Sequence, residues 1–137
     1  LEAGDYHMTA ILGNHDTYFK NTNEINSPFL LLGTYLQRGV ISGFMNDEVM
    51  TKTIGGQKFV FVPWITPENE ENILKILKNV SNQDTICVGH FELDGFQMFQ
   101  GIRNEGGMSR DVLKEFKMVW SGHFHTRSTE GNVYYLG

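Results

Sequence analysis

Apolar residues along the chain fall into short runs punctuated by glycine, proline and polar clusters. Met8 to Leu12 reads as a short strand, with Gly13 to Asp16 as the loop at its end. Ser27-Pro28 reads as a helix start, a capping residue followed by proline in the first turn. That helix runs to about Gln37 and is ended by Gly39. Val40 to Phe44 is a strand, and Glu48 to Ile54 and Gln57 to Pro63 are two more, joined by the hairpin signal Gly55-Gly56. Thr66-Pro67 opens the clearest helix, whose Ile73, Ile76, Leu77 and Val80 share one face. Glu68, Glu70 and Glu71 stand near its N-terminus and Lys75 and Lys78 near its C-terminus, as the helix dipole favours. Thr85 to Val88 is a buried strand, Ser109 caps a short helix over Arg110 to Glu115, and Val119 to Ser121 and Asn132 to Leu136 are the remaining strands. Leu1 to Gly4 reads as the end of a helix stopped by Gly4. Strands and helices mixed in this way predict an α/β or α+β fold.

The polar residues that interrupt this pattern recur in one setting. Three times an apolar strand runs into glycine followed by histidine or asparagine: Ile11-Leu12 into Gly13-Asn14-His15, Cys87-Val88 into Gly89-His90, and Trp120-Ser121 into Gly122-His123. Ligands of layered α/β folds collect at the carboxyl ends of strands, so three such ends can converge on one site. Asn14 offers a carbonyl oxygen and His90, His123 and His125 offer imidazole nitrogens, a mixed donor set that suits manganese, iron or zinc. His123 and His125 are two residues apart, which in an extended turn lets them reach adjacent ions. Two ions about 3.5–4 Å apart can hold a hydroxide and the oxygens of a phosphate between them.

Composition narrows the choice. The 137 residues suffice for one domain and are too few for two ordinary ones. No apolar run is long enough to span a bilayer, so no membrane partner is expected. The single cysteine, Cys87, allows no internal disulfide and fits a reducing, cytoplasmic setting. A net charge of −5 argues against a sequence-reading nucleic-acid binder, but bound metal ions can supply the positive charge a phosphate ester needs. Leu1 and Gly137 both look like cut ends, and the chain reads as a fragment.

Gly13-Asn14-His15-Asp16, Gly89-His90 and Gly122-His123-Phe124-His125, in that order, resemble the later part of the signature of the calcineurin-like metallophosphoesterases. Trp120 to His125, Val88 to Phe96 and the Pro63-Trp64 step resemble the recombination-nuclease branch of that superfamily, the small subunits of tailed-phage and SbcD-type double-strand-break-repair nucleases. The resemblance implies a β-sandwich of mixed sheets flanked by helices, here incomplete at both ends, over residues 1–137. It implies a metal-dependent DNA nuclease of recombination and repair, with two divalent ions, manganese by preference, an SMC-like ATPase partner, and the cytoplasm of the cell or of a phage's host as its place of work. Asn14, His90 and His123 would hold one ion and His125 the other. His15 would sit by the leaving oxygen as proton donor or charge stabiliser, oriented by Asp16. The same resemblance makes the unusually apolar helix with Phe29, Leu30, Leu32, Tyr35 and Leu36 a homodimer face.

Of the two motifs that open the superfamily's signature, Gly-Asp-x-x-Asp is not in the chain, and Asp5-Tyr6-His7, which has the Asp-x-His spacing, is read as the approach to the first strand and not as that motif. Gly4-Asp5 lacks the second aspartate and is rejected as Gly-Asp-x-x-Asp. The fragment therefore carries part of a site, without the bridging carboxylate or a DNA-capping region. Lys20, close behind the first motif, is the cation most readily placed on a phosphate. Cys87 reads as a small buried hydrophobe, His7 as a solvated or core-edge histidine, and Trp64 and Trp120 as core anchors, with Trp64 also positioned to line a cleft. A phosphomonoesterase, a cyclic-nucleotide phosphodiesterase, or a metal-free scaffold of the same fold would share the pattern.

Overall fold

The computed structural model describes residues 7–43, 48–99 and 101–137. The helix end expected over Leu1 to Gly4, and Phe44 at the end of the second strand, lie outside the described residues. Strand β1 (Met8–Ala10) pairs in parallel with β2 (Ile41–Gly43), and helix α1 (Ser27–Gln37) connects them. Six further strands make one mixed sheet. In spatial order they are β3 (Met50–Ile54), β4 (Gln57–Phe61), β5 (Thr85–Gly89), β8 (Met118–Ser121), β10 (Val133–Tyr135) and β9 (Ser128–Glu130). The inner four run parallel, while β3 and β9 are antiparallel to their neighbours. Helix α2 (Glu70–Val80) crosses from β4 to β5, and a hairpin of β6 (Gln97–Phe99) and β7 (Ile102–Arg103) leaves the sheet between β5 and β8. The architecture is mixed α and β. The resemblance predicts a sandwich of mixed sheets; the described residues form the six-stranded one, the two-stranded parallel pair β1–β2 and the antiparallel β6–β7 hairpin. Lys52 Nζ, from β3, ties the two together by donating to Ser42 Oγ and, at 3.1 Å, to Thr9 Oγ1.

Local chemistry moves two helix starts. The cap of α1 is Asn26, whose buried side chain accepts from Phe29 N at 2.8 Å, so Ser27 and Pro28 are already helical. In α2 the expected opening at Thr66-Pro67 is instead a separate turn. Asn69 Oδ1 accepts from Thr66 N at 2.8 Å, the Thr66 carbonyl accepts from Asn69 N and Glu70 N, and the helix begins at Glu70. The short helix after Ser109 is 3-10 in form and ends at Leu113. The pair β6–β7 and strand β9 are unforeseen; each is a short run turned back at a glycine of positive φ, Gly101 (82°) or Gly131 (59°).

The main core lies on the six-stranded sheet, where Val60, Cys87, Val119 and Val133 meet Ile73 and Leu77 of α2. Ile73 and Leu77 are fully buried, each worth about 1.5–3 kcal/mol in area removed from water. Burial also pushes the Cys87 thiol far above its usual range, so it is a packed, unreactive group. A second cluster joins Leu12 and Ile41 to Leu32, Tyr35 and Leu36 of α1 and to Trp64. The rest of α1 finds no cover: Leu30 is 72% and Leu31 78% exposed.

Candidate metal centre

β1 leads into the buried Leu12, and the next four residues fold into a tight turn. Asp16 closes it at both ends, its amide donating to Gly13 O at 3.1 Å and its Oδ2 accepting from Gly13 N at 2.8 Å. The carboxylate expected to orient His15 thus braces the turn that carries Asn14 and His15. Ser27 N donates to the Asp16 carbonyl at 2.9 Å, tying the turn to the start of α1. Asn14 Oδ1 reaches His90 Nε2 at 2.9 Å, across 76 residues of chain.

His90 stands just past β5, and β8 stays beside β5 to its last residue. Gly122 N donates to Gly89 O at 3.2 Å, which sets His123 against His90 with ring centroids 5.2 Å apart. Glycine at these steps leaves the space that the His90 ring occupies. A Cβ on Gly122 would lie 2.8 Å from His90 Nδ1, and one on Gly13 would lie 3.1 Å from His90 Cε1. His123 takes φ 91°, a left-handed conformation that costs a non-glycine residue about 1–3 kcal/mol and persists where the surroundings impose it. Ser121, buried beneath, donates to Gly122 O and accepts from Phe91 N.

Trp64 joins the site from the end of β4. Its ring lies 5.3 Å from that of His123 and 5.8 Å from that of His90, its amide donates to Leu12 O, and its carbonyl accepts from Asn23 and Asn69. Tyr135 holds the segment beyond His90: its hydroxyl donates to Phe91 O at 2.9 Å and accepts from Leu93 N at 3.2 Å. Burial raises the Tyr135 pKa to about 12, so the hydroxyl stays protonated. Glu92 Oε2 lies 3.8 Å from His123 Nε2.

Burial, then the charge of His123, lowers the pKa of His90 to about 4, and burial lowers that of His123 as well. Both rings are therefore neutral nitrogen donors near pH 7. His15 and His125 are exposed and lie near enough to His90 and His123 to act on both rings electrostatically. Lys20 is exposed on the segment between this turn and α1.

Among the described residues no three His, Cys, Asp or Glu side chains stand close enough to hold an ion by themselves. The donor chemistry nevertheless fits one ion when the Asn14 amide is counted. Two donors each about 2.1 Å from a metal and at right angles lie about 3 Å apart, and Asn14 Oδ1 and His90 Nε2 are separated by 2.9 Å.

The chain is similar to exonuclease subunit 1 of Enterobacteria phage T4, 39% identical over 130 residues that take in 95% of this chain and 36% of that protein. It thus spans about a third of the length of the curated relative it matches. No family model matches the chain, and no solved structure matches it. No helix among the described residues is long and apolar enough to cross a membrane.

Gly122 offers a direct test of the His90 position. Gly122→Ala should push the His90 ring off Asn14, and if His90 holds a metal it should weaken manganese binding by the about 10–100-fold typical of a disturbed supporting residue. Calorimetric titration of the full-length protein checks this, and unchanged affinity would remove His90 from the ligand set.

Proposed function

We propose that the chain is the middle and later part of the catalytic domain of a metal-dependent DNA nuclease that hydrolyses phosphodiesters in recombination and repair. The observation that carries this reading is the 2.9 Å approach of Asn14 to His90 beside His123, at the ends of three strands. The likeness to a phage exonuclease subunit supports it. Asn14, His90 and His123 would hold one divalent ion and His125 would serve a second, with manganese the favoured metal. When bound, the ions supply Lewis-acid polarisation of the phosphate and a hydroxide at neutral pH.

The chain's own residues do the rest. Neutral His90 and His123 offer nitrogen lone pairs, and the Trp64 ring limits how far either can turn. His15, exposed at the tip of the turn, stands free to give a proton to the leaving oxygen. Asp16 Oδ2 holds the turn that carries His15, and Asp16 would orient that imidazole. Lys20, exposed behind the turn, would meet a backbone phosphate. The uncovered face of α1, with Leu30 and Leu31, fits a homodimer contact in the whole protein, and an SMC-like ATPase is the proposed partner subunit.

The full-length protein with manganese should hydrolyse bis(p-nitrophenyl) phosphate and linear DNA, and p-nitrophenyl phosphate slowly or not at all. Preference for the monoester would instead make it a phosphomonoesterase. A preparation that binds no manganese would leave the fold as a scaffold.

A further inference from the structure

We infer that the cleft beside His90 is a nucleobase subsite: it takes the base next to the scissile phosphate, packs it against Trp64 and Met108, and reads its amino edge with Glu92. The placement relative to a scissile phosphate rests on the nuclease reading above; the base recognition does not. The cleft has a volume of about 190 Å³, below the about 300–1,000 Å³ of pockets for larger ligands and suited to a single ring system.

Its lining combines that apolar wall with two carboxylates, Glu70 and Glu92, and none of its lining residues is lysine or arginine. Such a surface repels a phosphate. It also does not gather an ion, because His90 and the two carboxylates do not come within metal-holding distance of one another. What it accepts is a flat, uncharged ring with donor hydrogens on its edge. A carboxylate accepts from the exocyclic amino group of cytosine, and aromatic and apolar walls hold the ring faces of an unstacked base.

The wall is pre-formed. Met108 N donates to Glu92 O at 2.8 Å and Asp94 N to Met108 O at 3.1 Å, which locks the far side of the cleft to the segment just after His90. Gly107 sits in this brace where a Cβ would lie 2.6 Å from Glu92 O. Glu92 makes no side-chain hydrogen bond there, and its carboxylate is about half exposed toward the cleft and His123.

The test uses the full-length, metal-free protein with isotope-labelled methionine methyl groups. Titration with deoxycytidine, which has no phosphate, should shift the Met108 methyl resonance, whereas deoxyribose should not. Glu92→Gln should weaken that response about tenfold for deoxycytidine and leave thymidine, which lacks an amino group, little changed. With manganese added, oligonucleotides lacking the base beside the cleavage point should be cut about tenfold more slowly, the scale of one base held on an aromatic wall. No Met108 shift, or equal cutting of abasic and intact strands, would overturn the subsite. A Met108 shift in a protein that cuts no phosphodiester would uphold base binding and sink the nuclease reading instead.

Discussion

His15→Ala in the full-length protein should lower phosphodiester cleavage by about 10²–10⁴-fold while leaving manganese binding nearly intact. The structure separates His15 from the proposed donors. Asn14, the residue before it, turns inward to His90 Nε2, whereas His15 is exposed at the tip of the same turn. The turn is held through Asp16 and Gly13, so removing the imidazole leaves Asn14 in place. Single-turnover cleavage and calorimetric manganese titration on the same preparation decide the matter. A mutant that loses an ion would show that His15 is a ligand and not a proton donor.

The 137-residue chain by itself should bind at most one ion, weakly, and should not cleave linear DNA with manganese. In the proposed site Asn14, His90 and His123 would give one ion three contacts, and His125 would be almost the only contact left for another. A bridging carboxylate is what holds two ions at the spacing that activates one hydroxide, and the described residues bring no three His, Cys, Asp or Glu together. Equilibrium dialysis against manganese and a linear-DNA assay test this. Robust turnover that disappears in His125→Ala would mean that a carboxylate in the chain, Glu92 or Asp5, completes the site. Glu92 stands 3.8 Å from His123 Nε2, while Asp5 lies outside the described residues.

Much of the frame was readable from residue order because its signals are local. Gly55 and Gly56 both take positive φ and turn β3 back on β4, as their adjacency implies. Ile73 and Leu77 are buried where the helical spacing puts them. The capping error at Ser27 has a local origin too: Asn26 and Ser27 are both good caps, and burial of the Asn26 side chain decides between them. β6, β7 and β9 were not readable because Gln97–Phe99, Ile102–Arg103 and Ser128–Glu130 hold no sustained apolar run; β6 and β7 pair around Gly101, and β9 is recruited by β10.

At the site, the glycine steps at strand ends pointed to Asn14, His90 and His123, which the structure brings together, and the place of Trp64 at a strand end pointed to a cleft; the contacts around them were not readable. Trp64 reaches His123 only because β4 runs parallel to β5 and ends level with it. The space that Gly13 and Gly122 clear for the His90 ring, and the positive φ of His123, come from how three distant strands meet.

Tyr135 has a consequence for the order in which the protein is made. Its hydroxyl ties down Phe91 and Leu93, yet it is translated more than forty residues after them. β10, which carries it, also fills the place between β8 and β9. A nascent chain that has left the ribosome only as far as Gly131 already exposes His15, His90, His123 and His125, but the segment beyond His90 has no anchor. Ordering of the segment beyond His90 therefore waits for β10 to emerge, and ribosome-stalled chains ending before Tyr135 should fail to protect the Phe91 region from proteolysis.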